Sequence, residues 1–163
     1  MLDHILIPLD GSFLAADAIE PSTQILKAGG KFTLVTVVDI PTNWQFGNAP
    51  AIIMQQSENS TERLLSRAKV YLEDIAMNLR ADDFQVDTVA QYGDAATVIV
   101  ENARTRKVDA IAMSTHGRSG FSRLLFGSVT SKVLSAAPCP VFVIPSEHQQ
   151  TQMNEPAHEI NHH

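Results

Sequence analysis

The sequence predicts an α/β protein with an open, doubly wound parallel sheet and helices on both of its faces. Short apolar segments rich in β-branched residues alternate with longer segments whose apolar residues recur at helical spacing. This alternation indicates βαβ units, whose right-handed crossovers distribute the helices over both faces of the sheet. A length of 163 residues suits one domain that buries a core without metal or disulfide.

The first strand and helix are predicted within the first thirty or so residues. Residues 4–9 form a short apolar segment that predicts a buried strand, and Ser12 follows as a suitable N-cap. Helical spacing of apolar residues predicts a helix over 13–28. Pro21 is expected to bend this helix, because an interior proline removes a hydrogen bond. The glycine pair that begins at Gly29 is expected to end it.

A second strand and a second helix are predicted on either side of a long loop. Residues 32–38 are apolar and β-branched, which favours a strand. Residues 41–58 contain prolines and a glycine among residues of mixed polarity, so a loop is expected there. Asn59 and Glu62 resemble a capping box, which predicts a helix over about 60–80.

The remaining elements alternate in the same way. Residues 84–92 alternate in polarity, so this strand is expected at a sheet edge. A third helix is predicted over 95–106 and a fourth strand over 109–114. A fourth helix over about 128–135 and a fifth strand over 141–144 complete the pattern.

Composition limits the function. A net charge of −6 argues against a broad nucleic-acid surface, which needs clustered Lys and Arg. The single cysteine, Cys139, excludes an internal disulfide and is typical of the reducing cytoplasm. Neither a signal peptide nor an apolar segment near the roughly 20 residues of a membrane span is recognisable. Residues 146–163 are polar without periodicity and predict a disordered tail.

The loop after the fourth strand has the composition of a phosphate-binding loop. In doubly wound sheets, ligands bind beyond the carboxyl ends of the strands where the strand order reverses. Gly117 and Gly127 let the backbone approach a phosphate, and Ser128 supplies a hydroxyl at a helix N-terminus. Arg118 and Arg123 are suited to neutralising a polyphosphate. The alternative is a plain glycine-rich turn with Ser128 as the N-cap of the helix.

Other nucleotide-binding and hydrolase motifs are absent. The sequence contains no Walker A loop, no G-x-G-x-x-G fingerprint and no G-x-S-x-G nucleophile elbow. His116 is more typical of a loop spacer than of a metal ligand, because no second ligand lies at a usable spacing. No catalytic and no metal-ligating residue is therefore predicted.

The stretch 114–128 resembles the nucleotide-binding signature of the universal stress protein family. That signature is Gly, two residues, Gly, nine residues, Gly and then Ser or Thr. Here Ser114 takes the first glycine position, Gly117 takes the second, and Gly127 with Ser128 closes the motif. The segments "HILIPLDGS", "VTVVD", "GDAATVIVENA" and "SAAPCPVFVIP" extend the resemblance over nearly all of residues 1–145.

The resemblance implies a fold and a ligand. The family's sheet has five parallel strands in the order 3-2-1-4-5, of the adenine nucleotide alpha-hydrolase-like kind. A domain over 1–145 that binds ATP, accompanied by Mg²⁺, is therefore expected. The implied nucleotide-contacting residues are Pro8, Asp10, Val37, Ser114, His116, Gly117, Arg118, Gly120, Gly127, Ser128, Val129 and Thr130.

The resemblance also assigns parts of the ligand to parts of the chain. Asp10 is expected near the ribose and adenosine end, although it is also suited to capping the first helix. Val37 would line the adenine pocket, and Pro8 would shape its mouth. Ser128 would reach the terminal phosphates. Ser114 departs from the family pattern, which has glycine at this position. Its Cβ is expected to narrow the space through which the phosphates approach the loop.

A homodimer is expected through the fifth strand, with a higher oligomer as an extension of it. The strand is short, apolar and placed at a sheet edge, which favours pairing with another chain. The family is commonly dimeric through this strand. The residues concerned are Val141, Phe142, Val143 and Ile144.

Three functional hypotheses are compatible with the sequence. The first is an ATP-binding regulatory protein of the stress response that acts through dimer or partner contacts. The second is a slow ATPase or phosphotransferase, although no general base is evident beside the expected γ-phosphate. The third is a dimeric interaction module that binds no nucleotide.

Overall fold

The computed structural model describes residues 1–38, 51–115 and 127–145, and their strands form a single five-stranded sheet. The elements in chain order are β1 Leu2–Pro8, α1 Phe13–Ala16, α2 Ile19–Ile25, β2 Leu26–Val38, α3 Ala51–Ala81, β3 Gln85–Tyr92, α4 Ala95–Arg106, β4 Ala110–Thr115, α5 Ser128–Ala136 and β5 Val141–Pro145.

The strand order is β3-β2-β1-β4-β5, and every neighbouring pair is parallel. Ile7 pairs with Leu34 of β2, and on the other side of β1 Leu6 pairs with Ile111 of β4. The predicted fold class and the order 3-2-1-4-5 are confirmed. The strand order reverses between β1 and β4, so the ligand-binding crevice of such a sheet lies at their carboxyl ends.

Two apolar clusters lie on opposite faces of the sheet because successive strand residues point to opposite sides. Ile5 and Ile7 belong to the first cluster, which includes Leu72 of α3. Leu6, between them in sequence, belongs to the second cluster together with Ile99 of α4 and with α5 residues. Burial on both faces explains why β1 is apolar along consecutive positions.

The predicted helix over 13–28 is wrong in extent. The chain forms two short helices with a turn at 17–18, and Pro21 is the third residue of α2 rather than a bend within a longer helix. This position suits proline, because the first N–H groups of a helix have no intrahelical acceptor in any case. Ser12 is the predicted N-cap of α1, since its Oγ accepts a hydrogen bond from the Ala15 N–H at 3.1 Å.

The second strand starts six residues earlier than predicted. Leu26 is buried and pairs with Leu2, so α2 ends at Ile25 and the chain enters the sheet there. The register shifts before His4 pairs with Lys31. Gly30 lies in this irregular part, where a Cβ would be 2.7 Å from the Leu26 Cγ atom. Gly30, one of the two glycines expected to end the helix, therefore allows close packing at the start of β2.

The predicted loop over 41–58 is partly helix. Residues 39–50 lie outside the described residues, whereas 51–58 belong to α3. The capping box predicted at Asn59 is wrong, because that residue lies inside the helix. Helix-favouring residues follow Pro50 without a further glycine or proline, which accounts for the earlier start.

The elements from β3 onward agree with the sequence to within a residue or two. β3 is an edge strand, as predicted. α4 begins after Asp94, whose side chain accepts hydrogen bonds from the Thr97 N–H at 3.0 Å and the Thr97 hydroxyl at 2.8 Å. The predicted tail, 146–163, lies outside the described residues.

His4, at the amino end of β1, makes the folded protein sensitive to mild acid. Its Nε2 lies 2.8 Å from the buried Thr33 hydroxyl. Burial, and then the nearby Lys31, lowers the pKa of His4 below its usual 6.5, while Asp87 and Asp109 oppose this. The unfolded chain thus binds more protons below about pH 6.5, and stability is lost as the pH falls through that value toward the lower pKa of the folded state.

We expect the free energy of unfolding to fall between about pH 7.5 and about pH 5.5, and to fall less in His4→Gln. Glutamine retains a hydrogen-bonding group for Thr33 but does not titrate. Urea denaturation at both pH values measures the difference. An equal fall in the two proteins would contradict this role of His4.

Candidate functional site

The carboxyl ends of β1 and β2 bring three of the predicted site residues to one edge of the sheet. Pro8, the last residue of β1, pairs with Val35 of β2, and the Leu9 N–H donates to the Val35 carbonyl at 2.7 Å. Asp10 follows directly, and Val37 lies two residues beyond Val35. Pro8, Asp10 and Val37 are therefore neighbours at this edge.

The turn after β1 is held by its own side chains. Asp10 Oδ1 accepts hydrogen bonds from the Ser12 N–H at 2.9 Å and the Ser12 hydroxyl at 2.6 Å. Gly11 has φ of 83°, a left-handed conformation that favours glycine. Ser12 caps α1, and Asp10 orients Ser12 while its carboxylate stays exposed at the sheet edge.

Tyr71 of α3 reaches this turn, and no sequence pattern had singled it out. Its hydroxyl oxygen is buried. Burial, and then the Asp10 charge, raises the pKa of the Tyr71 hydroxyl, while a hydrogen bond with the Gly11 backbone opposes the rise. An interior aromatic residue on a long amphipathic helix is typical of core packing, so its approach to the turn becomes visible only in the folded chain.

Ser114 is a strand residue, in agreement with the strand predicted over 109–114, and β4 continues to Thr115. Ser114 pairs with Ile144 of β5 and is buried. Counting along β1 and β4 from the Leu6–Ile111 pair brings Leu9 level with Ser114. Ser114 therefore lies at the carboxyl edge beside the turn after β1.

The side chain of Ser114 lies on the face of the sheet opposite to α5. Its neighbour Met113 belongs to the second cluster, with Val133 of α5, whereas Ala112 belongs to the first. Because strand residues alternate, Ser114 shares the face of Ala112. The Cβ of Ser114, which was expected to narrow the approach of the phosphates, therefore points away from the N-terminus of α5.

The N-terminus of α5 carries three N–H groups without intrahelical acceptors. The first bond of the α-helical pattern runs from the Ser131 N–H to the Gly127 carbonyl at 2.9 Å. Gly127 is the N-cap and offers no side-chain cap, with Ser128 exposed as the first helical residue. The alternative that Ser128 is the N-cap is therefore wrong.

Neither the backbone nor a described neighbour requires glycine at 127. Its φ of −58° and ψ of 162° suit any residue. The structure describes no atom within 4 Å of the position that a Cβ at Gly127 would occupy. Among the described residues, no atom therefore occupies the place that a side chain at position 127 would take.

The last two predicted site residues on α5 face the protein interior. Val129 packs against the second cluster, as does Val37 of β2, and Thr130 is buried. Val37 and the first turn of α5 therefore share one face of the sheet. Four predicted site residues, namely His116, Gly117, Arg118 and Gly120, lie outside the described residues, and so does Arg123.

Two open concavities border α3. One, of about 510 Å³, is lined by Glu62, Arg63, Ser66 and Arg67. The other, of about 390 Å³, is lined by Ser66, Arg67, Val70, Tyr71 and Asp74. Tyr71 thus connects the surface of α3 with the turn after β1.

In the part of the chain that the structure describes, no helix is both long and apolar enough to cross a membrane.

Comparison with known proteins relates most of the chain to one family. A sequence profile of the universal stress protein family matches residues 1–145. A universal stress protein of Methanocaldococcus jannaschii is 30% identical over 146 residues, which cover 86% of this chain and 80% of that protein. A putative universal stress protein of Staphylococcus aureus is also 30% identical, with 88% and 84% covered.

Solved structures show the same fold. The hypothetical protein MJ0577 superimposes with a TM-score of 0.76 at 26% identity, covering 90% of this chain and 98% of that one. An Arabidopsis thaliana universal stress protein family member with AMP bound has a TM-score of 0.62 at 16% identity, covering 95% and 96%. A universal stress protein in complex with cAMP has a TM-score of 0.59 at 18% identity, covering 88% and 97%.

Proposed function

This chain belongs to the universal stress protein family, and we propose that it binds ATP and acts as a nucleotide-dependent regulator of a stress response through dimer or partner contacts. One observation carries the proposal. The exposed Asp10 turn, the end of β2 and the N-terminus of α5, whose N-cap is a glycine, all lie toward the carboxyl edge where the strand order reverses.

The phosphates are proposed to bind at the N-terminus of α5. Free N–H groups and the positive end of the helix dipole favour a polyanion there. Gly127 adds no side chain beside these N–H groups, and Ser128 next to it is exposed. His116, Gly117, Arg118 and Gly120 are proposed to complete the phosphate contacts from the preceding segment.

The nucleoside is proposed to lie over β1 and β2. The Asp10 carboxylate would accept hydrogen bonds from the ribose hydroxyls, and Val37 would line the adenine site, with Pro8 at its mouth. Val129 packs on the same cluster as Val37, which supports a ligand that spans from β2 to α5. Ser114, directed to the opposite face, leaves this path open.

A magnesium ion is proposed to accompany the triphosphate. The hard oxygens of phosphate suit Mg²⁺, which keeps several waters and needs few protein ligands. The exposed Ser128 hydroxyl is the described group at this end that fits such a ligand set. When bound, the ion would neutralise charge on the phosphates.

Related structures support an adenine nucleotide as the ligand class. One protein of this fold holds AMP and another holds cAMP. The arrangement in this chain favours ATP, because the α5 N-terminus offers additional contacts for β- and γ-phosphates. Affinity is therefore expected to fall in the order ATP, ADP, AMP.

The reducing cytoplasm, which suits the single Cys139, is the compartment we propose.

Isothermal titration calorimetry with ATP and MgCl₂ tests the proposal. We expect saturable binding of one nucleotide per chain, tighter than for AMP. Lack of binding at about 1 mM ATP, a free energy weaker than about −4 kcal/mol, would contradict it and favour a nucleotide-free interaction module. Assay of released phosphate in the same samples separates binding from turnover.

We also propose a homodimer through β5. This strand ends the sheet, so one of its edges has no partner strand among the described residues, and Phe142 is 40% exposed. Pairing with a second copy would extend the sheet and cover this side chain. The residues involved are Val141, Phe142, Val143 and Ile144.

Light scattering after size exclusion is expected to give about twice the chain mass of 17.8 kDa. Phe142→Asp is expected to lower this to the chain mass, because it buries a charge against the partner edge. Val70→Asp, at an exposed position of α3, is the control and should remain dimeric. A monomeric wild type, or a dimeric Phe142→Asp, would contradict this interface.

A further inference from the structure

The two edge strands of the sheet, β5 and β3, differ in what they offer to another chain. β5 carries no charged residue over Val141–Pro145. β3 carries Asp87, which is ion-paired with Lys31 at 2.7 Å and with Arg106 at 3.0 Å. An edge strand presents a row of unpaired backbone groups, which is a template for strand addition. β3 is longer than β5, so it is the larger template unless its edge is closed.

The register of β3 determines which of its backbone groups point away from the sheet. The Gly93 N–H, directly after β3, donates to the Val38 carbonyl of β2 at 3.3 Å. The pairing of β2 with β3 is regular along the whole strand. Because the backbone groups of successive strand residues point to opposite sides, those of Val86 and of every second residue after it point to the free edge.

Arg80, in the last turn of α3, lies at this free edge. Its guanidinium donates a hydrogen bond to the Val86 carbonyl at 2.9 Å. Glu73, seven residues earlier in α3, accepts a second bond from the same guanidinium at 2.8 Å and a bond from the Thr88 hydroxyl at 2.6 Å. Arg80 is therefore held between its own helix and the strand, and the first outward carbonyl of β3 already has a partner.

A strand that added to β3 would have to displace this arginine. An N–H of the added strand would need the Val86 carbonyl, which Arg80 already engages. If the guanidinium stayed in place, the added strand would cover a charge that is now in contact with water. Covering a charge costs free energy unless it stays paired and hydrogen-bonded, so both routes oppose the addition.

We propose that Arg80 closes the β3 edge, so that a second copy of this chain adds to the sheet only through β5. The consequence for assembly rests on the proposed homodimer and goes beyond it, because it gives the reason why assembly ends with two chains. Each dimer has a β3 edge at either end of its extended sheet. Pairing of these edges would continue the sheet from one dimer to the next.

Light scattering after size exclusion of Arg80→Met, over a range of protein concentrations, tests the inference in the full-length protein. Methionine keeps an unbranched side chain and a good helix propensity, but it has neither the charge nor the donors. We expect species of about twice the wild-type mass or more, whose fraction rises with concentration. Arg67→Met, the same substitution at another exposed position of α3, is the matched control and should keep the wild-type mass. Arg80→Lys, which retains a charged donor, should keep it as well.

Hydrogen exchange of the same samples identifies the edge that pairs. In the larger Arg80→Met species, the outward amides of Thr88 and Ala90 are expected to exchange more slowly than in the wild type, because a second strand then covers them. Unchanged exchange at these amides would mean that the copies associate elsewhere, which would overturn the role of Arg80.

The remaining outcomes separate this inference from the homodimer. An Arg80→Met protein of wild-type mass at all concentrations, or equal association of Arg67→Met, overturns the role of Arg80 while the homodimer stands. A monomeric wild type overturns the β5 interface alone; Arg80→Met is then expected to dimerise through β3, and a monomeric Arg80→Met overturns both. Loss of the fold in Arg80→Met, with Arg67→Met folded, would assign Arg80 to stability and overturn its role at the edge.

Discussion

Gly127→Asp is expected to weaken ATP binding at least about 100-fold, or about 2.7 kcal/mol, with the fold intact. The N-cap position tolerates any residue, and the substituted Cβ would meet no described atom. Aspartate, however, caps helices well and would occupy the N–H groups proposed to bind phosphate. Its charge would also repel the polyphosphate. Calorimetry measures the affinity, and a thermal melt verifies that the fold survives.

Gly127→Asn is the matched control for this charge. Asparagine has nearly the same shape and also caps helices, but it is neutral. We expect it to bind ATP about tenfold more tightly than Gly127→Asp, the factor that about 1.4 kcal/mol of charge repulsion represents. Wild-type affinity in Gly127→Asp would exclude the N-terminus of α5 as the phosphate site.

Leu72→Ala is expected to lower the free energy of unfolding by about 3 kcal/mol. Leu72 is fully buried in the cluster that joins α3 to β1 and β2. Its truncation removes apolar contacts and leaves a cavity that the sheet cannot fill by relaxing, because strand positions are held by hydrogen bonds on both sides. Urea denaturation measures the change.

Leu64→Ala tests whether burial of the leucine side chain, rather than its mere presence in α3, determines this loss of stability. Leu64 lies in the same helix but is 46% exposed. Its truncation is expected to cost less than about 1 kcal/mol. Similar losses in the two variants would mean that α3 does not pack on the sheet through Leu72.

Most of the sheet was predictable because its signals are local. Consecutive apolar residues in β1 and β4 reflect burial on both faces, and α4 begins at a recognisable cap, Asp94. The split of the first helix was not predictable in this way. Leu26 continues a helical pattern, yet it pairs with Leu2 in the sheet, and that pairing is a tertiary contact.

The early start of α3 was missed for a different reason. A capping box at Asn59 is a local pattern that is also compatible with a helix interior when residues before it favour helix. The alternation of polar and apolar residues in β3 is not compatible with a helix in this way, and the sequence correctly places this strand at an edge of the sheet.

The candidate site was only partly predictable. Glycine spacing indicated Gly127, because phosphate loops have local signatures, whereas Asp10 was implied by the resemblance to the family. The direction of the Ser114 side chain depends on the register of β4, and the approach of Tyr71 depends on how α3 packs. Both are properties of the assembled sheet, which a linear pattern does not contain.

Native mass spectrometry of the purified protein is the most direct test of nucleotide binding by this chain. We expect the protein mass increased by an adenine nucleotide, with ATP or ADP released on denaturation, and no such increase for Gly127→Asp. The protein mass alone in the wild type, together with no binding at about 1 mM ATP and Mg²⁺, would contradict the proposal.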